Sequence, residues 1–444
     1  MSAGARTADW VRAAARRWPD RTALSDESRR WSFAELDAWV DALADGLARQ
    51  GLRRGDVLPI IVDPDAEGIA TLWAVRRAGA TVAPLNPRLT AAERDDALTT
   101  LAEADAPVAP RAPPPLAVLW TSGTSGRPRG VALSAEALRI HALAVARRLG
   151  LHEGDRWLAS LSVAHVGGLA LVTRAALLGS EVVATGGFEA EAASQLMDRG
   201  RVTHMSLVPT QFMRLLEHRA GAPLPPTFRC VLIGGAHAPD ALVRRALGAG
   251  WPVALTYGMT EACSQVATAP PDVVRARRES AGKPLDGVEV RTSDDGEILV
   301  RGPTLAIGYV GSDEPMTDEE GWYHTGDLGS LDDDGFLRVT GRRADRIVSG
   351  GVTVDAREVE AALEAHPAVV EACVVGVPDA EWGERVGAVV VGVEGEVTPD
   401  ELASFLEERL MSAKRPRVWK FVDGLPRNAN GKINRVEVRG MLVS

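Results

Sequence analysis

From residue 31 to about residue 260 the chain alternates amphipathic helical stretches with short apolar runs, a pattern that few architectures satisfy. In WSFAELDAWVDALADGLARQ (31–50), Phe33, Leu36, Val40, Leu43 and Leu47 recur at three- and four-residue spacings. That spacing predicts a helix with one apolar face. Ser32 and Glu35 are placed to form its capping box. A short apolar strand (57–62), a helix (67–78) and a second strand (80–84) are expected next. Strand, helix and strand in this order predict an α/β unit with parallel strands.

Residues 106–115, APVAPRAPPP, hold five prolines and are expected to form a surface connector. From 280 to 340 the texture becomes short strands separated by Gly and Asp turns (GVEVRT, DDGEILVRG, DDDGFLRVTG), which signals antiparallel β structure. After Gly341 it changes again, to GRRADRIVSGG, then helix, strand, strand and helix. The expected fold class is α/β. A large N-terminal domain of α/β subdomains plus a small antiparallel β segment would span 1–341, followed by a small α+β C-terminal domain at 342–444.

Composition narrows the function classes. The chain has 444 residues, 45% apolar and 25% charged, enough for several buried cores. Sixty acidic against 50 basic side chains give a net charge of −10, which disfavours nucleic acid as a partner. The three cysteines, Cys230, Cys263 and Cys373, make no C-x-x-C pair and suit a reducing cytoplasm. The most apolar stretch, residues 157–173, is short and holds His165, so no membrane span is expected. A homo-oligomer is compatible with the sequence. Only four of the 50 basic residues are lysine (Lys283, Lys414, Lys420 and Lys432), so each lysine is informative where an arginine is not.

The segment TSGTSGRPRG (121–130) carries the first chemistry. Four hydroxyls (Thr121, Ser122, Thr124, Ser125) and three glycines (Gly123, Gly126, Gly130) follow an apolar strand at 116–120 and precede a helix-like segment. Glycines allow close backbone approach, and successive N–H groups make a nest for an anion. No G-x-x-x-x-G-K-[ST] occurs, so this is not a Walker A loop. Neither a G-x-S-x-G elbow nor an H-E-x-x-H zinc helix appears.

TSGTSGRPRG resembles the phosphate-binding loop of the adenylate-forming superfamily: acyl- and aryl-CoA synthetases, luciferases and peptide-synthetase adenylation domains. That family usually shows lysine where this chain has Arg129, and the arginine keeps a cation beside the triphosphate. Further motifs follow in the family's order. His165 in SVAHVGGL resembles the histidine beside the acyl pocket, and IGGA (Gly234, Gly235, Ala236) the segment lining the adenine pocket. In YGMTE (257–261), the resemblance implies that Tyr257 stacks on adenine beside Gly258. By the same likeness Thr260 contacts phosphate, and Glu261 holds Mg²⁺ together with Thr124.

WYHTGD (322–327) is similar to the motif whose aspartate, here Asp327, bonds the ribose hydroxyls; Arg342 matches the arginine that also reaches the ribose. PRNANGKINR (426–435) resembles the loop whose lysine, here Lys432, drives adenylation. The resemblance implies a mobile C-terminal domain with a hinge in 343–345. It also implies a turn at Gly350 and Gly351 beside the path of coenzyme A. ATP, Mg²⁺, coenzyme A and a small carboxylic acid are the implied reactants.

Three details narrow the acid. The segment before the phosphate loop is short for this superfamily, which disfavours long-chain fatty acyl enzymes. Ser264 and Gln265, after the central motif, resemble the o-succinylbenzoate–CoA ligases of menaquinone biosynthesis. Arg174, nine residues after His165, matches a position where some of those ligases keep an arginine for the substrate's free carboxylate, or else it is a solvated surface arginine. An o-succinylbenzoate–CoA ligase is the leading expectation. Other aryl- or medium-chain acyl-CoA synthetases, an adenylation enzyme loading a carrier protein, and a silent adenylate sensor stay open beside it.

Overall fold

The computed structural model describes residues 9–104, 114–122, 128–392, 397–428 and 431–443. The chain forms two compact units. The first comprises residues 1–237, 246–289 and 300–323, and the second 238–245, 290–299 and 324–444.

In the first unit the alternation of residues 31–85 folds as its periodicity predicts. The helix is Phe33–Arg49, with the Ser32 hydroxyl accepting from the Glu35 N–H and the Glu35 carboxylate accepting from the Ser32 N–H. Phe33, Leu36 and Val40 are buried on its inner face. Val57–Ile61 and Thr81–Leu85 are parallel neighbours, joined through the helix Ala66–Arg77.

Among the described residues the larger sheet of this unit has nine strands. Its parallel core runs Val253–Met259, Cys230–Ile233, His204–Leu207, Arg156–Ala159 and Glu181–Ala184, then Thr22–Ser25. Antiparallel strands Ser264–Ala269 and Arg30–Ser32 flank the parallel run. Strands of four residues, buried on both faces, read as continuous apolar runs such as CVLI.

One local expectation is corrected. The segment after 121–127 is a strand, Pro128–Leu133, not a helix, and it returns antiparallel to Ala117–Ser122. The helix begins later, at Ala135, capped by Ser134. RGVALS holds a β-branched valine between small residues, which suits a buried ladder better than a first helical turn.

In the second unit, Val352–Asp355, Arg346–Ser349, Gly383–Gly392 and Val369–Asp379 form a sheet that Val418–Phe421 extends. Ala356–Glu364 and Pro399–Glu407 pack Val359, Leu363 and Leu402 into its core with Ile347, Val374 and Ala388. The antiparallel texture at 280–340 folds as strands Glu289–Thr292, Glu297–Arg301, Tyr323–Leu331 and Leu337–Arg342 of one sheet.

Candidate active site

In an open parallel sheet, ligands bind beyond the carboxyl ends of the strands. Several of the sequence-selected residues of the first unit lie there. IGGA leaves the end of Cys230–Ile233, with Gly235 at φ +79° and the Gly234 N–H donating to Leu207 O at 3.2 Å. YGMTE ends Val253–Met259 and continues into a single 3₁₀ turn, Thr260–Ala262. Tyr257 is buried at 9% exposure, while Thr260 and Glu261 are half-buried.

The motif's glycine has a steric cause. A Cβ on Gly258 would lie 1.9 Å from the Ser264 carbonyl oxygen, because the returning strand crosses closely there. The return is strained, with Cys263 at φ 58° and Ser264 at φ 112°. Such strain in non-glycine residues concentrates at functional sites. Gly258→Ala is expected to cost on the order of 3 kcal/mol, read as a lower urea midpoint.

His165 caps the helix Val166–Leu178, and its Nδ1 accepts the Gly167 N–H at 3.1 Å. That bond leaves the proton of the neutral ring on Nε2. Gly168 is required by packing, since a Cβ would lie 2.2 Å from the Ser162 carbonyl oxygen.

Glu261 has a partner the sequence did not announce. The Tyr309 hydroxyl donates to Glu261 Oε1 at 3.2 Å and lies 3.1 Å from the Tyr323 hydroxyl. The Arg129 guanidinium stacks 3.5 Å from the centroid of the Tyr309 ring. Burial, and then the Glu261 charge, push both phenols above their ordinary values, so both remain donors at neutral pH. Sequence reasoning missed Tyr309, and it gave Tyr323 no role although WYHTGD contains it. The overlooked signal was scarcity, because the chain has only three tyrosines and Tyr257 is the third.

One carboxylate with one oxygen engaged by tyrosine suits Mg²⁺, which takes the rest of its shell from phosphates and water. Among the described residues no group of three His, Cys, Asp or Glu offers an all-protein cage. Thr121 and Ser122 end the strand entering the glycine-rich loop. Gly123, Thr124, Ser125 and Gly126 lie outside the described residues.

Arg174 is not brought together with these groups. Nine helical residues carry it roughly 13 Å along the axis and two and a half turns round from His165, onto the opposite face. It is 2% exposed, which excludes the solvated reading, and its guanidinium lies 4.4 Å over the Trp157 ring. Trp157 stacks on His204 at 4.7 Å, and both lie in the N-terminal halves of their strands, Arg156–Ala159 and His204–Leu207, away from the end that carries YGMTE. Burial pulls Arg174 down to about 10, still charged at neutral pH.

Burial and the nearby arginine charge also pull His141 and His204 down to about 3 each. The unfolded chain would protonate both below about pH 6.5, and the folded protein would not. Between pH 6.5 and about 3 the unfolded state therefore binds more protons, and stability falls as pH falls. The loss between pH 6.5 and 5 is about 2 kcal/mol per histidine. Urea midpoints at pH 7 and pH 5 check this, and His204→Gln should shrink the difference.

The second unit carries Asp327, Arg342, Lys432, Gly350 and Gly351. Asp327 and Arg342 face each other across neighbouring strands, with Arg342 Nε donating to Asp327 Oδ1 at 2.6 Å. The turn before Asp327 is fixed by Glu297, which accepts the Gly326 N–H at 2.8 Å, and by Thr325, whose hydroxyl donates to Ile298 O. Gly350 and Gly351, at φ +55° and +81°, form the two-residue turn between Arg346–Ser349 and Val352–Asp355. Two positive φ values are what a type I′ hairpin requires. A Cβ on Gly350 would also lie 2.5 Å from the Trp382 ring.

Lys432 follows Gly431 (φ +76°) in a short loop closed by the Arg427–Ile433 bridge. Its N–H donates to Asn428 Oδ1 at 3.0 Å, and its carbonyl accepts the Asn428 N–H at 2.8 Å. Arg427 holds both Glu371 oxygens, at 2.6 and 2.8 Å. Arg435 reaches Glu360 at 2.7 Å and Asp345, in the 3₁₀ turn Arg343–Asp345, at 3.2 Å.

Residues 11–105 and 96–310 match the family model described as AMP-binding enzyme, and 358–432 match the AMP-binding enzyme C-terminal domain. The chain belongs to the AMP-binding enzyme family. A 2-succinylbenzoate–CoA ligase of Bacillus cereus (strain Q1) is 34% identical over 98% of each chain. Among solved members of the family, o-succinylbenzoate CoA synthetase (MenE) from Bacillus subtilis, in complex with the acyl-adenylate OSB-AMP, superposes with a TM-score of 0.88 at 32% identity. The match covers 97% of this chain and 98% of that one. ATP-bound MatB from Rhodopseudomonas palustris gives 0.86 at 27% identity, over 97% and 98%. Among the described residues no helix is long and apolar enough to cross a membrane.

Proposed function

We propose that this chain is an ATP-dependent o-succinylbenzoate–CoA ligase acting in menaquinone biosynthesis, in the cytoplasm. The observation that carries the reading is the match, over 98% of both chains, to a 2-succinylbenzoate–CoA ligase. The three unpaired cysteines fit a reducing compartment.

The reaction has two halves. One oxygen of the acid's carboxylate attacks the α-phosphate of ATP, and pyrophosphate leaves. The sulfur of coenzyme A then attacks the acyl carbon, AMP leaves with the bonding pair, and the thiol proton passes to solvent. No enzyme nucleophile is needed. Tyr257, Gly234, Gly235 and Ala236 would line the adenine, and Asp327 with Arg342 would take the ribose. Thr260, Arg129 and the hydroxyls of residues 121–125 would take phosphate oxygens. His165, with its proton held on Nε2, would stand beside the acid, as would Ser264. Glu261 and Thr124 would hold Mg²⁺, which supplies charge neutralisation on the phosphates when bound.

Lys432 would bridge the attacking carboxylate and the α-phosphate. Residues 342–444 would act as the mobile domain, pivoting at 343–345 and bringing Gly350 and Gly351 to the coenzyme A path. Arg174 keeps no substrate role in this reading, because it lies at the other end of the strands.

A panel of acids assayed for pyrophosphate release with ATP and coenzyme A tests the substrate. Fastest turnover on o-succinylbenzoate is expected. Robust turnover on another aryl or medium-chain acid, with none on o-succinylbenzoate, would overturn it.

A further inference from the structure

The cluster around Glu261 is built by strand geometry. Gly308–Tyr309 runs antiparallel to Pro128–Leu133, with Tyr309 opposite Val131. Arg129 is two residues from Val131, so it shares a face with it and is the diagonal neighbour of Tyr309. Two backbone bonds of 2.8 Å hold this strand, from the Ile307 N–H to Ala132 O and from the Val310 N–H to Gly130 O. A third, from the Ala306 N–H to Glu261 O at 2.8 Å, ties the glutamate's own backbone to the same segment. The carboxylate and the loop cation are thus both referred to one short strand.

Tyr309 meets each of them with a different part. Its hydroxyl donates to Glu261 Oε1, and its ring lies under the Arg129 guanidinium. A donated hydrogen bond leaves the phenol oxygen free to accept, and the Tyr323 hydroxyl stands 3.1 Å away to supply that proton. A hydroxyl that donates to one carboxylate oxygen disfavours bidentate metal binding and leaves the second oxygen for a single bond. Mg²⁺, which demands near-octahedral geometry, is served by single bonds. A planar guanidinium lies flat on an aromatic ring, whereas an ammonium does so less well.

Resting on the adenylate-forming reading above, we infer that Tyr309 is a positioning residue. Its hydroxyl, backed by Tyr323, aims Glu261 at magnesium, and its ring seats Arg129 toward the triphosphate. Arg129 is then more than a tolerated exchange for lysine, because its planar head has a built seat. One side chain sets the spacing between the anion that holds the metal and the cation that faces the phosphates.

The test measures ATP binding by calorimetry, with and without Mg²⁺, alongside adenylate formation over a Mg²⁺ series. Melting curves control for folding. Tyr309→Phe keeps the ring and loses the hydroxyl. It should need about tenfold more Mg²⁺ for both half-saturation and half-maximal rate. Its affinity for metal-free ATP should match the wild type. Tyr309→Leu should also weaken metal-free ATP binding, by about threefold. Arg129→Lys should lose a similar factor in the wild type and nothing further in Tyr309→Leu.

Tyr323→Phe should shift the Mg²⁺ requirement the same way by a smaller factor, and it serves if Tyr309→Phe does not fold. An unchanged Mg²⁺ requirement in folded Tyr309→Phe would overturn the inference. So would an equal Arg129→Lys loss in both backgrounds, or an unchanged requirement in Tyr323→Phe. The function reading fails separately. Wild type that binds MgATP but makes no o-succinylbenzoyl adenylate refutes the substrate and leaves Tyr309's role standing. Wild type that binds no MgATP refutes both.

Discussion

Lys432→Ala is expected to lower adenylate formation by about 10²–10³-fold while leaving thioester formation from supplied acyl-AMP within a few-fold of wild type. Attack of a carboxylate on the α-phosphate brings two anions together and adds charge to the phosphoryl oxygens. A cation placed at that point before reaction begins stabilises the transition state without further reorganisation. The lysine loop is suited to such placement. The Asn428–Lys432 bonds, the Arg427–Ile433 bridge and the Arg427–Glu371 pair fix its backbone, and the lysine side chain is exposed upon it. Thioester formation breaks the acyl carbon–oxygen bond, with AMP leaving on the bonding pair, and brings no carboxylate up against the phosphate, so it should not need the ammonium at that point. Lys432→Arg keeps the charge with a bulkier, planar head and should recover only part of the rate. Equal loss of both half-reactions in Lys432→Ala would contradict the assigned role.

Glu261→Gln is expected to lower adenylate formation by about 10²-fold. The amide carbonyl can still accept the Tyr309 hydroxyl, so the fold around the 3₁₀ turn should hold and the melting temperature should change little. What is lost is the negative charge that would share Mg²⁺ with the triphosphate. The signature is a rate deficit that persists at saturating Mg²⁺, together with loss of the Mg²⁺-dependent part of ATP affinity in calorimetry. A fall of less than about threefold would remove Glu261 from the metal site.

Much of the scaffold was legible in the sequence because local rules and tertiary contacts agree there. The capping box at Ser32 and Glu35, the apolar face of Phe33–Arg49 and the Gly–Asp turns of the antiparallel strands are each decided within a few residues. The strand Pro128–Leu133 was not, because GVAL is small and apolar enough for either helix or strand, and only its ladder with Ala117–Ser122 decides. The motif residues were legible through resemblance, but their reasons are spatial. Gly258 is required by a carbonyl six residues later, and Gly350 by Trp382.

Arg174 lies apart from the other motif residues for a different cause. A spacing along the chain carries no face, whereas a helix of 3.6 residues per turn puts a residue nine positions on at the opposite side. Tyr309 escaped because it lies 48 residues from Glu261 and belongs to none of the motifs selected. Its rarity in the composition was the available clue. The scarcity that singled out Lys432 among the basic residues applies to the three tyrosines as well.

The most direct measurement follows an oxygen atom. o-Succinylbenzoate labelled with ¹⁸O in its carboxylates is incubated with ATP, Mg²⁺, coenzyme A and the protein, and the products are weighed by mass spectrometry. Attack of the carboxylate on the α-phosphate carries one labelled oxygen into AMP and leaves pyrophosphate unlabelled, with o-succinylbenzoyl-CoA formed in equal amount. Labelled inorganic phosphate with ADP, or thioester formed with unlabelled AMP, would contradict the account.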